Sequence, residues 1–472
     1  MRKLFLFAVT ATMMAACSNE ELATQNKPGP QEQEDVAVNF DIYTNRATTR
    51  AGEAKEITTG TLQNGIHKEA GFGVFAFYTN NGSYDQYAKP NFMYNQQVTY
   101  ASDKWTYEPV KYWPNEYGNA AVSDDVDKVS FFAYAPWVKT VPTTGTVDIG
   151  GVTDAAIIAQ LQNYNITGMT TNNATGDPLI KYVVDWNPAT SVDLLWGVVA
   201  DNTYDPIIGS SSTNAPTLTV GRPFLDLIKA KTTNKIKFNL RHALTKLNIQ
   251  IGTDVDAIQS DAGSYSGDLL SAKTKIYVRS VTFEGFATKG ALNLNNTEAN
   301  KPRWIDYAGG NELGTEAFTI YDGRKDGKEG LNGDDGAASN EKVIGLNPVI
   351  VQSKPYNDSP TAGVTNTAVN LFNSTEADTP IFVIPTGDPL KITIVYDVET
   401  IDANLAGYLA DGVTNGSTIE NKISKTVTVA FEAGKAYTIF LHLGMTSVKV
   451  DATVEEWPTA SGSAVDLPEN KN

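Results

Sequence analysis

Cysteine is almost missing: the 472 residues contain one, together with only three histidines. That excludes a disulfide framework within the chain and a thiolate-clustered zinc site. It also leaves little for a histidine-rich metal centre or for most histidine-dependent catalysis. Charge is sparse too, at 19% of residues, and it is lopsided, with 37 Lys+Arg against 54 Asp+Glu and a formal net charge of −17. Phosphate binding needs a basic face, so nucleic acid is excluded as the main partner. Long hydrophobic runs are lacking as well, and no segment reaches the roughly twenty apolar residues of a membrane-spanning helix. What is present is apolar material for ordinary cores, 41% of residues with 10% aromatic. At roughly 150 residues per domain, the length predicts two or three domains.

The single cysteine stands at an informative place. Met1-Arg2-Lys3 is basic, Leu4 to Met14 is an apolar run of signal-peptide length, and Ala15-Ala16 leads into Cys17. Met14-Ala15-Ala16-Cys17 resembles a lipobox, in which the thiol is acylated and cleavage then makes Cys17 the new amino terminus. Residues 1–16 are then the signal peptide. Two or three acyl chains would hold such a protein firmly at a membrane, since each buried CH₂ contributes about 0.8 kcal/mol. The alternative is an ordinary secretory signal with an incidental cysteine. Ser18-Asn19-Glu20-Glu21 follows, and it resembles the acidic surface-export signal of bacterial lipoproteins. The expectation is an outer-membrane lipoprotein precursor.

Cys17 to Asp35 is polar, without helical or strand period, and reads as a flexible tether. Then Val36, Val38, Phe40 and Ile42 alternate with Ala37, Asn39, Asp41 and Tyr43, the period of a half-buried strand. Thr44 to Gly52 follows with Arg46 and Arg50 and no apolar period. Such a run is open to a protease, and it is either a released pro-segment junction or an exposed linker.

Downstream, short alternating runs separated by Gly, Asn, Asp and Pro predict an all-β protein. Gly71–Tyr78, Val129–Pro136 and Asp193–Val199 are nearly continuous apolar runs suited to buried strands. The apolar phase shifts between Ile236-Phe238-Leu240 and Leu247-Ile249-Ile251, which requires a bend or bulge near Arg241-His242. Further strands are expected at Lys275–Phe283, Thr379–Pro385, Leu390–Val398, Thr426–Phe431, Tyr437–Leu443 and Val448–Val454. Thr153–Gln162 is the one helical stretch of any length. The polar stretch Asp254–Asp268 marks a boundary between two sandwiches, 51–262 and 263–472, preceded by the tether and first strand at 17–50.

Residues arranged for chemistry are few. Asp322, Asp326, Glu329, Asp334 and Asp335 crowd a Gly-rich loop as calcium ligands can, but an EF-hand register from Asp322 puts Arg324 third and Gly333 twelfth. A solvated loop is the simpler reading, and no metal or cofactor is expected. Trp105, Tyr107, Tyr112 and Trp113 either stack on sugar rings or pack a core. His67, His242 and His442 lie far apart, and no nucleophile elbow, His-Glu-x-x-His pair or P-loop occurs. Nothing supports an enzyme.

Taken in order, the lipobox with its acidic residues, the Arg46–Arg50 junction, Tyr112-Trp113-Pro114, Asp193-Leu194-Leu195-Trp196, Phe238 to Leu247 and Val454-x-x-Trp457 resemble the fimbrillin, or type V pilin, family. The resemblance runs over nearly the whole chain. It implies two β-sandwich domains of transthyretin-like topology, export as a lipoprotein, cleavage by an Arg-specific protease, and polymerisation by strand exchange with other pilin subunits into an adhesive fimbria. It also implies a C-terminal donor, for which Val448, Val450, Ala452 and Val454 are the candidates. The same residues equally suit the last strand of their own sandwich. The competing expectation is a glycan-binding surface lipoprotein that stays tethered through Cys17.

Overall fold

The alternating runs fold as strands in the computed structural model. It describes residues 36–44, 56–114, 127–139, 164–253, 256–257, 274–308, 313–322, 349–351, 354–355, 369–371, 380–408, 413–443, 448–456 and 465–466, apart from 81, 86, 189, 201–203, 205–214 and 231–234. The first ten strands are Phe40–Thr44 (β1), Phe72–Thr79 (β2), Met93–Ala101 (β3), Lys104–Thr106 (β4), Lys128–Ala135 (β5), Ile166–Met169 (β6), Leu179–Val183 (β7), Leu195–Val199 (β8), Phe224–Leu227 (β9) and Ile236–His242 (β10). After these come Thr245–Thr253 (β11), Asp256–Ala257 (β12), Thr274–Glu284 (β13), Lys289–Asn293 (β14), Arg303–Ile305 (β15), Ala317–Asp322 (β16), Val349–Val351 (β17), Lys354–Pro355 (β18), Val369–Asn370 (β19) and Ile381–Val383 (β20). Leu390–Ile401 (β21), Gly416–Val427 (β22), Lys435–Leu443 (β23), Val448–Glu456 (β24) and Val465–Asp466 (β25) complete the set. One helix among the described residues, Thr59–Gln63 (α1), is held by a capping box between Thr58 and Thr61.

The first sheet runs β1-β10-β8-β5-β2-β3-β4, with β9 also on β5. Its central strands read as continuous apolar runs because both faces are covered. Phe72, Val74, Ala76, Phe131 and Ala133 face one core, and Phe75, Phe77, Phe132, Tyr134 and Trp196 face the other. Gly197 lies between two of these strands, where an added Cβ would come within 2.8 Å of both Ala133 and Phe238. The second core is shared with three further sheets, ordered β19-β11-β23-β24-β25, β16-β13-β21-β22 and β15-β14-β7-β6.

The phase shift near His242 has a concrete cause. β10 ends in the first sheet at His242, and after Ala243-Leu244 the chain enters a different sheet as β11, parallel to β23. One sheet joins β6 and β7 to β14 and β15, strands from either side of residue 262. The strand expected at Thr426–Phe431 is displaced: β22 occupies Gly416–Val427, and Val429 and Phe431 follow it outside any strand. The helical expectation at Thr153–Gln162 lies outside the described residues.

Candidate functional site at the edge of the first sheet

Residues 36–44 lie along the open edge of the first sheet. β1 runs parallel to β10, pairing Phe40 with Ile236 and Thr44 with Leu240, and Ile236 N donates to Asn39 O at 2.8 Å. Upstream, the strand is held on a second wall. Val38 N donates to Lys111 O, Trp113 N donates to Val36 O, both at 2.9 Å, and the Tyr107 hydroxyl donates to Val38 O at 2.8 Å. The strand thus fills a slot between β10 and residues 107–113.

The expected alternation is what seats it. Val36, Val38, Phe40 and Ile42 are 6%, 0%, 2% and 3% exposed, while Asn39 faces outward. Phe40 contributes most, with its ring centroid 5.4 Å from Tyr107, 5.9 Å from Phe131, 6.2 Å from Phe238 and 6.3 Å from Phe72. At about 1.5–3 kcal/mol per side chain, this face contributes on the order of 6–12 kcal/mol of transfer free energy. Trp105 and Trp113, 8% and 3% exposed, pack in this core against Phe72 and Phe131. Their ring faces serve packing, and Tyr112 is the exposed member of that cluster.

The strand ends in a clasp. Thr44 N donates to the Thr59 hydroxyl at 2.8 Å, and Thr59 N donates to the Thr44 hydroxyl at 3.0 Å. Thr59 belongs to a segment anchored on its own account. Ile57 N donates to Asp193 Oδ2 at 3.3 Å, Glu56 pairs with Lys246 at 3.4 Å, and Leu62 is fully buried. Asp193 is buried and lies 2.7 Å from His242 Nδ1. Burial pushes its carboxyl above the ordinary range, and the His242 contact opposes that shift. Both ends of the junction containing Arg46 and Arg50 are therefore fixed and brought together. Arg46 and Arg50 themselves, like Cys17, lie outside the described residues.

Val448, Val450, Ala452 and Val454 lie elsewhere. They belong to β24, which pairs with β23 from Leu443↔Val448 to Lys435↔Glu456. Val448 and Ala452 are buried, with Val450 and Val454 packed against the same core. Here that alternation serves the strand's own sheet. The acidic loop beyond Asp322, at the end of β16, lies outside the described residues.

Sequence reasoning missed the clasp and the Tyr107–Trp113 wall. Thr59 carries no pattern, and its role appears only once residues 15 positions apart meet. The family-like motifs did hold a signal: Trp113, Asp193, Trp196, Phe238 and His242 are all buried.

The chain is an all-β protein whose first sheet is completed by its own N-terminal strand, and comparison with known proteins shows what it is similar to. The chain is similar to the fimbrium subunit Fim1C of Phocaeicola vulgatus, 25% identical over 480 residues that cover 98% of each. Its fold matches the crystal structure of a fimbrial protein from Bacteroides vulgatus with a TM-score of 0.51 and 21% identity, covering 90% of this chain and 100% of that one. No family model matches the chain. The resemblance to fimbrillins read from the sequence thus holds along nearly the whole chain, and these relatives are fimbrial proteins rather than enzymes.

Proposed function

We propose that this chain is a structural subunit of a cell-surface fimbria that mediates adhesion. In this reading the precursor is exported as a lipoprotein acylated at Cys17 and cut after Arg46 or Arg50 by an Arg-specific protease. It then joins other subunits by strand exchange. The chain is read as two β-sandwich domains, 51–262 and 263–472, and the passage of the chain from the first sheet into a different one at β11 supports a second sandwich.

The observation that carries the proposal is the edge strand. Residues 36–44 bury an apolar face in a slot, and their one covalent route to the sheet they complete runs through the arginine junction. While the junction is intact, the strand is held at a high effective concentration. Once it is cut, the same contacts become bimolecular and a competing strand can displace it by β-augmentation. The cut also frees the mature chain from the acylated Cys17. Full-length likeness to a fimbrium subunit supports the same reading.

Treating purified precursor with an Arg-specific protease should convert monomer into a ladder of SDS-resistant oligomers. The doubly substituted Arg46→Ala, Arg50→Ala precursor should remain monomeric. A wild-type chain that is cut at the junction and stays a monomer would overturn the proposal.

A further inference from the structure

The present occupant of the slot specifies what can replace it. Val36, Val38, Phe40 and Ile42 point inward and Thr44 closes the end. The Phe40 ring meets four other rings within 6.3 Å, so a smaller residue there would leave a cavity lined by aromatic faces. The Thr44 backbone N–H donates to the Thr59 hydroxyl, and the Thr44 hydroxyl accepts from Thr59 N at a 7% exposed position, so the fifth place suits a small, uncharged side chain with an acceptor oxygen.

The C-terminal segment of this same chain does not meet those demands. Aligned by alternation, Val448, Val450, Ala452, Val454 and Glu456 stand for Val36, Val38, Phe40, Ile42 and Thr44. An alanine replaces the large ring, and a carboxylate replaces the hydroxyl. Sliding the register does not help. Trp457 is the sole aromatic residue in 444–472, and its alternate neighbours are Thr453, Glu455 and Thr459 rather than apolar residues.

Building on the strand-exchange reading above, we propose that the slot of this subunit takes a strand from a different subunit and not from a second copy. The partner strand carries aliphatic residues at two alternate positions, a large aromatic at the third, an aliphatic at the fourth and Ser or Thr at the fifth. Two copies of this chain are then not direct neighbours through this slot, and its fimbria contains more than one kind of subunit.

The test uses full-length precursor cut with an Arg-specific protease and challenged with labelled nine-residue peptides, with uptake followed by fluorescence anisotropy and by release of the native strand. Peptide 36–44 should exchange in. Its Phe40→Ala version should bind roughly 100- to 1,000-fold more weakly, and peptide 448–456 no better than that. Peptide 448–456 carrying Ala452→Phe and Glu456→Thr should gain at least about tenfold. Binding of peptide 448–456 within about tenfold of peptide 36–44, or no gain from the double substitution, overturns the proposal and leaves strand exchange standing. Failure of peptide 36–44 itself to exchange overturns the strand-exchange reading, and this proposal with it.

Discussion

Phe40 and His67 are both buried, but they answer to different physics. Phe40 fills space among aromatic rings, so its contribution is insensitive to pH. His67 is 3% exposed, its ring lies 5.7 Å from that of Tyr164, and neither ring nitrogen has a hydrogen-bond partner among the described residues. Burial lowers its pKa from 6.5 to about 4. Between those values the unfolded chain binds a proton that the folded chain does not, so stability rises with pH across the window and is lost on acidification. Urea unfolding should show a loss of at most about 3 kcal/mol from this group between pH 7 and pH 4. His67→Phe should remove that part of the acid sensitivity, and an unchanged pH profile in the variant would contradict the assignment.

The segment 36–44 was legible because its two faces differ: Val36, Val38, Phe40 and Ile42 alternate with Ala37, Asn39, Asp41 and Tyr43, and the first set is buried while the second is partly or fully exposed. The central strands of the first sheet were legible as apolar runs, but their division between two cores was not, because period 2 is hidden when both faces are apolar. β22 was misplaced for the opposite reason. It is the terminal strand of its sheet, most of its side chains are exposed, and Glu420, Lys422 and Lys425 give no apolar period to read. α1 is a single turn fixed by its cap, too short for any helical period. The clasp between β1 and α1 is a tertiary contact between two threonines that look ordinary in sequence. Thr59→Val would leave the Thr44 N–H without its partner at a mostly buried position. The expected cost is about 1–2 kcal/mol, seen as faster amide hydrogen exchange at Thr44 with α1 still formed. Unchanged exchange at Thr44 would show that the clasp does not hold the strand end.

At the scale of the whole molecule, the scarcity of cysteine becomes a statement about assembly. Residues 51–472 contain no cysteine, so a chain processed at the junction holds together through strand pairing and packing alone. Of the slot, the sequence made visible the strand that fills it and the arginines beyond it. It hid the walls, because Tyr107, Trp113 and Phe238 converge only through the order of strands in the sheet. The central claim is that the strand at 36–44 belongs to the precursor and is absent from the assembled subunit. The most direct measurement is the N-terminal residue and intact mass of the chain recovered from surface fimbriae. The expected result is an N-terminus at Ala47 or Ala51 and a mass lacking everything before it. A subunit that still begins at an acylated Cys17 and retains Val36 to Thr44 would contradict it.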